Sequence, residues 1–94
     1  MTTLPTSIKH LIHAEDVRLA NNELEEIPEE LGLCVKIVRL DLNHNKLKSL
    51  PKTLGKLIEM TRLNVSHNDI ADRLPKSLEN CSKLQELLAS NNPR

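Results

Sequence analysis

The chain contains no phenylalanine, tyrosine or tryptophan in its 94 residues. Its core must therefore be built from aliphatic side chains, each contributing about 1.5–3 kcal/mol when fully buried. The same absence leaves no aromatic platform for nucleic-acid bases. Thirteen basic residues are balanced by thirteen acidic ones, with no basic cluster to follow a phosphate backbone, so no nucleic-acid partner is expected. No apolar stretch approaches the roughly 20 residues that span a bilayer, so no membrane partner is expected either. The start, Met1-Thr2-Thr3-Leu4-Pro5, lacks the basic segment and apolar run of a secretory leader. Glycine is limited to Gly32 and Gly55, so there is no glycine-rich phosphate loop. No pair of nucleophile and general base stands out. Without a recognisable catalytic constellation, neither an enzyme nor a cofactor is expected.

What the chain has instead is periodicity. Val17-Arg18-Leu19-Ala20-Asn21-Asn22, Leu40-Asp41-Leu42-Asn43-His44-Asn45, Leu63-Asn64-Val65-Ser66-His67-Asn68 and Leu87-Leu88-Ala89-Ser90-Asn91-Asn92 superimpose offset by offset. The apolar residues three places earlier, Ala14, Ile37, Met60 and Leu84, are separated by 23, 23 and 24 residues. A fixed period of this size predicts a solenoid of stacked units. The expected division is a partial repeat over 1–13, repeats over 14–36, 37–59 and 60–83, and a partial repeat over 84–94, all in one domain.

From Ile37 the pattern runs L-x-x-L-x-L-x-x-N-x-L and then x-x-L-P-x-x-L-x-x-L. Ile37, Leu40, Leu42, Asn45, Leu47, Leu50, Pro51, Leu54 and Leu57 fill it. Ala14, Val17, Leu19, Asn22, Leu24, Ile27, Pro28, Leu31 and Cys34 fill it again, and Leu4-Pro5, Ile8 and Leu11 fit its second half. In this the chain resembles the leucine-rich repeat family along essentially its whole length. The fold class this implies is an α/β solenoid, with parallel strands on the concave face and short helical or 3₁₀ turns on the convex face.

Strands are predicted over 16–20, 39–43, 62–66 and 86–90. Val17/Leu19, Leu40/Leu42, Leu63/Val65 and Leu87/Ala89 point inward in alternation with polar neighbours. Asn22, Asn45, Asn68 and Asn92 follow the strands, where a buried turn needs its backbone groups satisfied. An amide side chain both donates and accepts, so these four are read as a structural ladder. Pro5, Pro28, Pro51 and Pro75 suit the start of a short helical turn. The extra residue of the third repeat, in Ala71-Asp72-Arg73, predicts a small bulge. Gly32 and Gly55 share one offset and read as turn formers.

Cys34 and Cys81 fall at the core offset of Leu57, two strands or roughly 10 Å apart, beyond disulfide reach. Buried free thiols are the reading, and they fit a reducing, cytoplasmic setting. Asn64-Val65-Ser66 and Asn80-Cys81-Ser82 match the glycosylation sequon but read as chance. His44 and His67 share an offset in adjacent repeats, yet zinc needs three or four protein ligands, so no metal site is assigned. His10 and His13 read as exposed end residues. The carboxylate pairs Glu25-Glu26 and Glu29-Glu30 read as solvated surface.

The resemblance implies that the concave face binds a partner. One outward column is Asp16, Arg39, Arg62, Glu86, and the next is Arg18, Asp41, Asn64, Leu88. Cross-strand pairing is expected between Asp16 and Arg39, Arg18 and Asp41, and Arg62 and Glu86. The candidate contacts are Arg39, Arg62, Arg18, Asp41, Asn64, His44, His67, Glu86 and Leu88. Arg39 and Arg62 lead because the planar guanidinium grips carboxylates in two places. Leu50-Pro51-Lys52-Thr53-Leu54-Gly55-Lys56-Leu57 is similar to the intracellular repeats of Ras-pathway scaffolds, which implies a non-catalytic signalling adaptor. Leu78-Glu79-Asn80-Cys81-Ser82 is similar instead to plant receptor-kinase ectodomains, which implies a ligand-recognising receptor as the alternative. Self-association through open array ends is a further expectation.

Overall fold

The computed structural model describes residues 12–71 and 74–92. Leu4-Pro5, Ile8, His10 and Leu11 lie outside the described residues, as do Asp72 and Arg73 of the bulge expected in Ala71-Asp72-Arg73. Four short strands, β1 (Asp16–Arg18), β2 (Arg39–Asp41), β3 (Arg62–Asn64) and β4 (Glu86–Leu88), form one parallel sheet in the order β1-β2-β3-β4. Each alternates with a 3₁₀ turn, over Glu29–Leu33, Lys52–Lys56 and Lys76–Asn80. The register places Val17, Leu40, Leu63 and Leu87 in one row. This is an open leucine-rich repeat solenoid.

The strands are shorter than the periodicity suggests, each stopping three residues before a bend in the backbone. Asn21, His44, His67 and Asn91 have φ of 61°, 58°, 57° and 58°, a left-handed conformation that ends a strand and that asparagine and histidine tolerate better than most residues. The interstrand hydrogen bonds nevertheless continue into that bend, with Leu42 N–H donating to Asn64 O at 2.7 Å and His44 N–H to Ser66 O at 3.0 Å.

Inside the bend the asparagine side chains close the backbone account. Asn45 Nδ2 donates to the carbonyls of Leu19, Leu42 and Asn43 at 3.0, 2.9 and 3.3 Å, and its Oδ1 accepts from the N–H groups of Asn22 and Leu24 at 3.0 and 2.9 Å. Asn68 bonds the carbonyls of Leu42, Val65 and Ser66 and accepts from Leu47 N–H. Asn92 bonds those of Val65, Ala89 and Ser90 and accepts from Ile70 N–H. Each amide thus ties its own bend to the preceding repeat.

One aliphatic cluster runs through the stack, with Leu24, Leu31, Ile37, Leu40, Leu42, Leu47, Leu54, Leu57, Met60, Leu63 and Val65 wholly buried. Cys34 and Cys81 are buried free thiols within it, and burial pushes both above the ordinary thiol range. Leu87 keeps the inward row of Leu40 and Leu63 but is 43% exposed, because β4 is the last strand of the sheet among the described residues.

Both glycines lie in turns, but not because those turns need their conformational freedom. Neither has positive φ. Both are buried within the 3₁₀ turns, where a Cβ on Gly32 would lie 2.5 Å from Thr53 Cβ and one on Gly55 would lie 2.5 Å from Ser77 O. Their role is to admit the neighbouring turn. Once it is seated, Thr53 Oγ1 donates to Glu29 O at 2.7 Å and Ser77 Oγ donates to Lys52 O.

Candidate protein-binding face

The strand positions that face away from the core form the two columns read from the sequence. Asp16, Arg39, Arg62 and Glu86 are register partners in turn, as are Arg18, Asp41, Asn64 and Leu88. Arg39 and Arg62 therefore stand on adjacent strands at the middle of the sheet.

The charges pair differently from the expected cross-strand scheme. Arg18 closes on Asp16 of its own strand, with Nε to Oδ1 at 3.2 Å and Nη2 to Oδ2 at 3.0 Å. This hydrogen bond holds the Asp16 carboxyl below its usual range and raises Arg18 above its own. Arg62 leans diagonally to Asp41, Nε to Oδ1 at 3.6 Å, rather than across to Glu86. A guanidinium on its long stem reaches a same-strand neighbour, as in Arg18, or a diagonal one, as in Arg62, as well as a residue directly across. Among the described residues, Arg39 and Glu86 enter no ion pair. The face consequently exposes one uncommitted cation on β2 and one uncommitted carboxylate on β4.

Along the edge where the strands end, His44 and His67 stack with ring centroids 4.2 Å apart and planes within 8°. Asn91 Nδ2 lies 3.2 Å from His67 Nε2 and extends the row. Parallel rings direct their nitrogen lone pairs side by side rather than toward one point, and no group of three or more potential metal ligands occurs among the described residues. Asn64 keeps its place in the outward column but bonds its own chain, its Oδ1 accepting from Ser66 N–H at 3.1 Å. Leu88 is 38% exposed beside Leu87, giving the β4 end an apolar character that the central strands lack. The identities of these residues were readable from the repeat, whereas which charges remain uncommitted depends on side-chain reach.

The leucine-rich repeat family model matches residues 12–70. The chain belongs to the leucine-rich repeat family. A solved leucine-rich repeat protein of Leptospira interrogans is similar in structure, with a TM-score of 0.75 and 32% sequence identity over 83% of this chain. This chain spans 20% of that protein's length. No curated protein matches it in sequence. Leucine-rich repeat domains generally serve as interaction modules on a non-catalytic fold.

Proposed function

We propose that this chain is an intracellular signalling adaptor that binds a protein partner through its sheet face, with Arg39 as the leading contact. The observation that carries the reading is the charge arrangement of that face. Its other two arginines are already held by Asp16 and Asp41, whereas Arg39 enters no ion pair among the described residues and only adds its field to Asp16. A desolvated arginine facing a partner carboxylate is a frequent centre of binding energy, because two parallel hydrogen bonds form at once. The buried free thiols favour a reducing compartment over the receptor alternative. Membership of the family supports the interaction role and leaves the setting to experiment.

The test begins with a protein captured from lysate by the wild-type chain, then purified and titrated against it. Arg39→Glu is expected to weaken that complex by roughly 30-fold or more, with the circular dichroism spectrum unchanged. Arg62→Glu is the informative companion, because it also opposes Asp41 and so loosens β2 against β3. A partner indifferent to Arg39→Glu would remove this residue from the interface.

A further inference from the structure

Ile12, Val35 and Ile58 occupy one offset in three consecutive repeats, just before the strands, and are 38%, 46% and 51% exposed. Leu33, two residues before Val35, is 62% exposed. The sheet face uses none of them. They form an apolar ridge along the edge where the chain enters the strands, opposite the edge that carries His44 and His67. Beside the ridge, Glu15, Lys36, Val38 and Glu59 line a shallow hollow. Apolar residues repeated in a row and bordered by charge are a recognisable interaction surface.

The charge pattern identifies the partner. Lys36 and Glu59 are equivalent positions one repeat apart, and they carry opposite signs. Consider a two-fold axis lying in the surface, midway between these repeats. It sets Val35 on Ile58 of a second copy, Lys36 on Glu59 and Leu33 along the methylene stem of Lys56, and symmetry makes every contact occur twice. An axis through the repeat of Val35 would oppose Lys36 to itself, and one through the repeat of Ile58 would oppose Glu59 to itself. Only the intermediate axis gives attraction at both charged positions. Within its own chain Glu59 uses Oε1 to accept from Lys83 at 2.7 Å, which leaves Oε2 for the second copy.

We propose that this edge is a self-complementary surface through which two copies of the chain associate, leaving Arg39 and the sheet face open. Sedimentation equilibrium tests it, with interference optics because the chain has no aromatic absorbance, at concentrations up to about 1 mM. A reversible monomer–dimer equilibrium is expected. Val35→Glu and Ile58→Glu should each weaken it by more than roughly tenfold, as should Lys36→Glu and Glu59→Lys, since each reversal spoils two contacts. The double reversal Lys36→Glu/Glu59→Lys should return the association to within about threefold of wild type. All these side chains are exposed, and circular dichroism checks that each variant is folded. A monomer throughout the range overturns the proposal. So does a dimer indifferent to Val35→Glu, which would place the contact elsewhere, for example on the β4 edge. Failure of the folded double reversal to recover association overturns it as well.

Discussion

At the scale of single residues, Asn45 carries more of the fold than its polarity suggests. Its amide serves three carbonyls and two N–H groups across two repeats, and Leu24, one of the donors, is wholly buried. Asn45→Ala removes all five contacts and admits no other partner to the Leu24 N–H. Leaving buried backbone groups unpaired costs about 1–3 kcal/mol each, so a loss of about 2–4 kcal/mol is expected, read as a lower urea midpoint by circular dichroism. Asn45→Asp should be no milder, because it keeps the acceptor but sets a carboxylate oxygen against three carbonyls. Cys34 and Cys81 make a second prediction at this scale. Burial raises both thiols above their unfolded value, so the folded chain holds these protons more tightly than the unfolded one. Their contribution is complete below roughly pH 8.5, the ordinary thiol range, and is lost as pH rises through the elevated folded values. Stability should therefore decline on the alkaline side. Cys34→Ala/Cys81→Ala should flatten that decline in denaturation midpoints measured from pH 7 to pH 10, and an unchanged slope would assign it to other groups.

Among the elements, the 3₁₀ turns are held together by a fit between a missing side chain and a small one. Gly32 receives Thr53, Gly55 receives Ser77, and the hydroxyl of each incoming residue then bonds the carbonyl of the preceding turn. In Gly55→Ala the new Cβ would meet backbone at 2.5 Å, which forces two turns apart while the sheet holds their other ends fixed. Overpacking of this kind costs about 1–3 kcal/mol, measurable by urea denaturation, and Ser77→Gly should partly relieve it. The equivalence of the two glycines is plain in the sequence, but their purpose is not, because it depends on how closely two turns approach. A hint lay in the small residues Thr53 and Ser77 facing them. The asparagine, leucine and strand positions were legible because a solenoid repeats one environment, and four copies of a pattern locate what one copy leaves ambiguous. The ion pairs were not, because Arg62 has two acidic neighbours within reach and the letters do not rank Asp41 against Glu86. Leu87 carries the same letter as Leu40 and Leu63 at the same offset, yet its burial is decided by what stacks beyond it.

For the molecule as a whole, that last point becomes a gradient. A stack in which each repeat touches only its neighbours has stability that is the sum of local units and the interfaces between them. The middle of this one is covered on both sides: Leu40, Leu42, Leu63 and Val65 are wholly buried, whereas Leu87, the counterpart of Leu40 and Leu63 on β4, is 43% exposed. β4 is thus held by one interface, β2 and β3 by two each. Opening of β4 alone sacrifices the bond from Val65 N–H to Leu88 O at 2.7 Å but leaves the bond from Leu42 N–H to Asn64 O, also 2.7 Å, intact. These two amides have the same bond length and lie in the same row of the repeat, so bond geometry does not distinguish them. Amide hydrogen exchange under native conditions should find Leu42 N–H among the slowest and Val65 N–H faster, because local opening at an end requires less free energy than opening the interior. Equal rates for the two would mean that the repeats open as a single cooperative block, in which case the coupling between neighbours exceeds the difference between one interface and two.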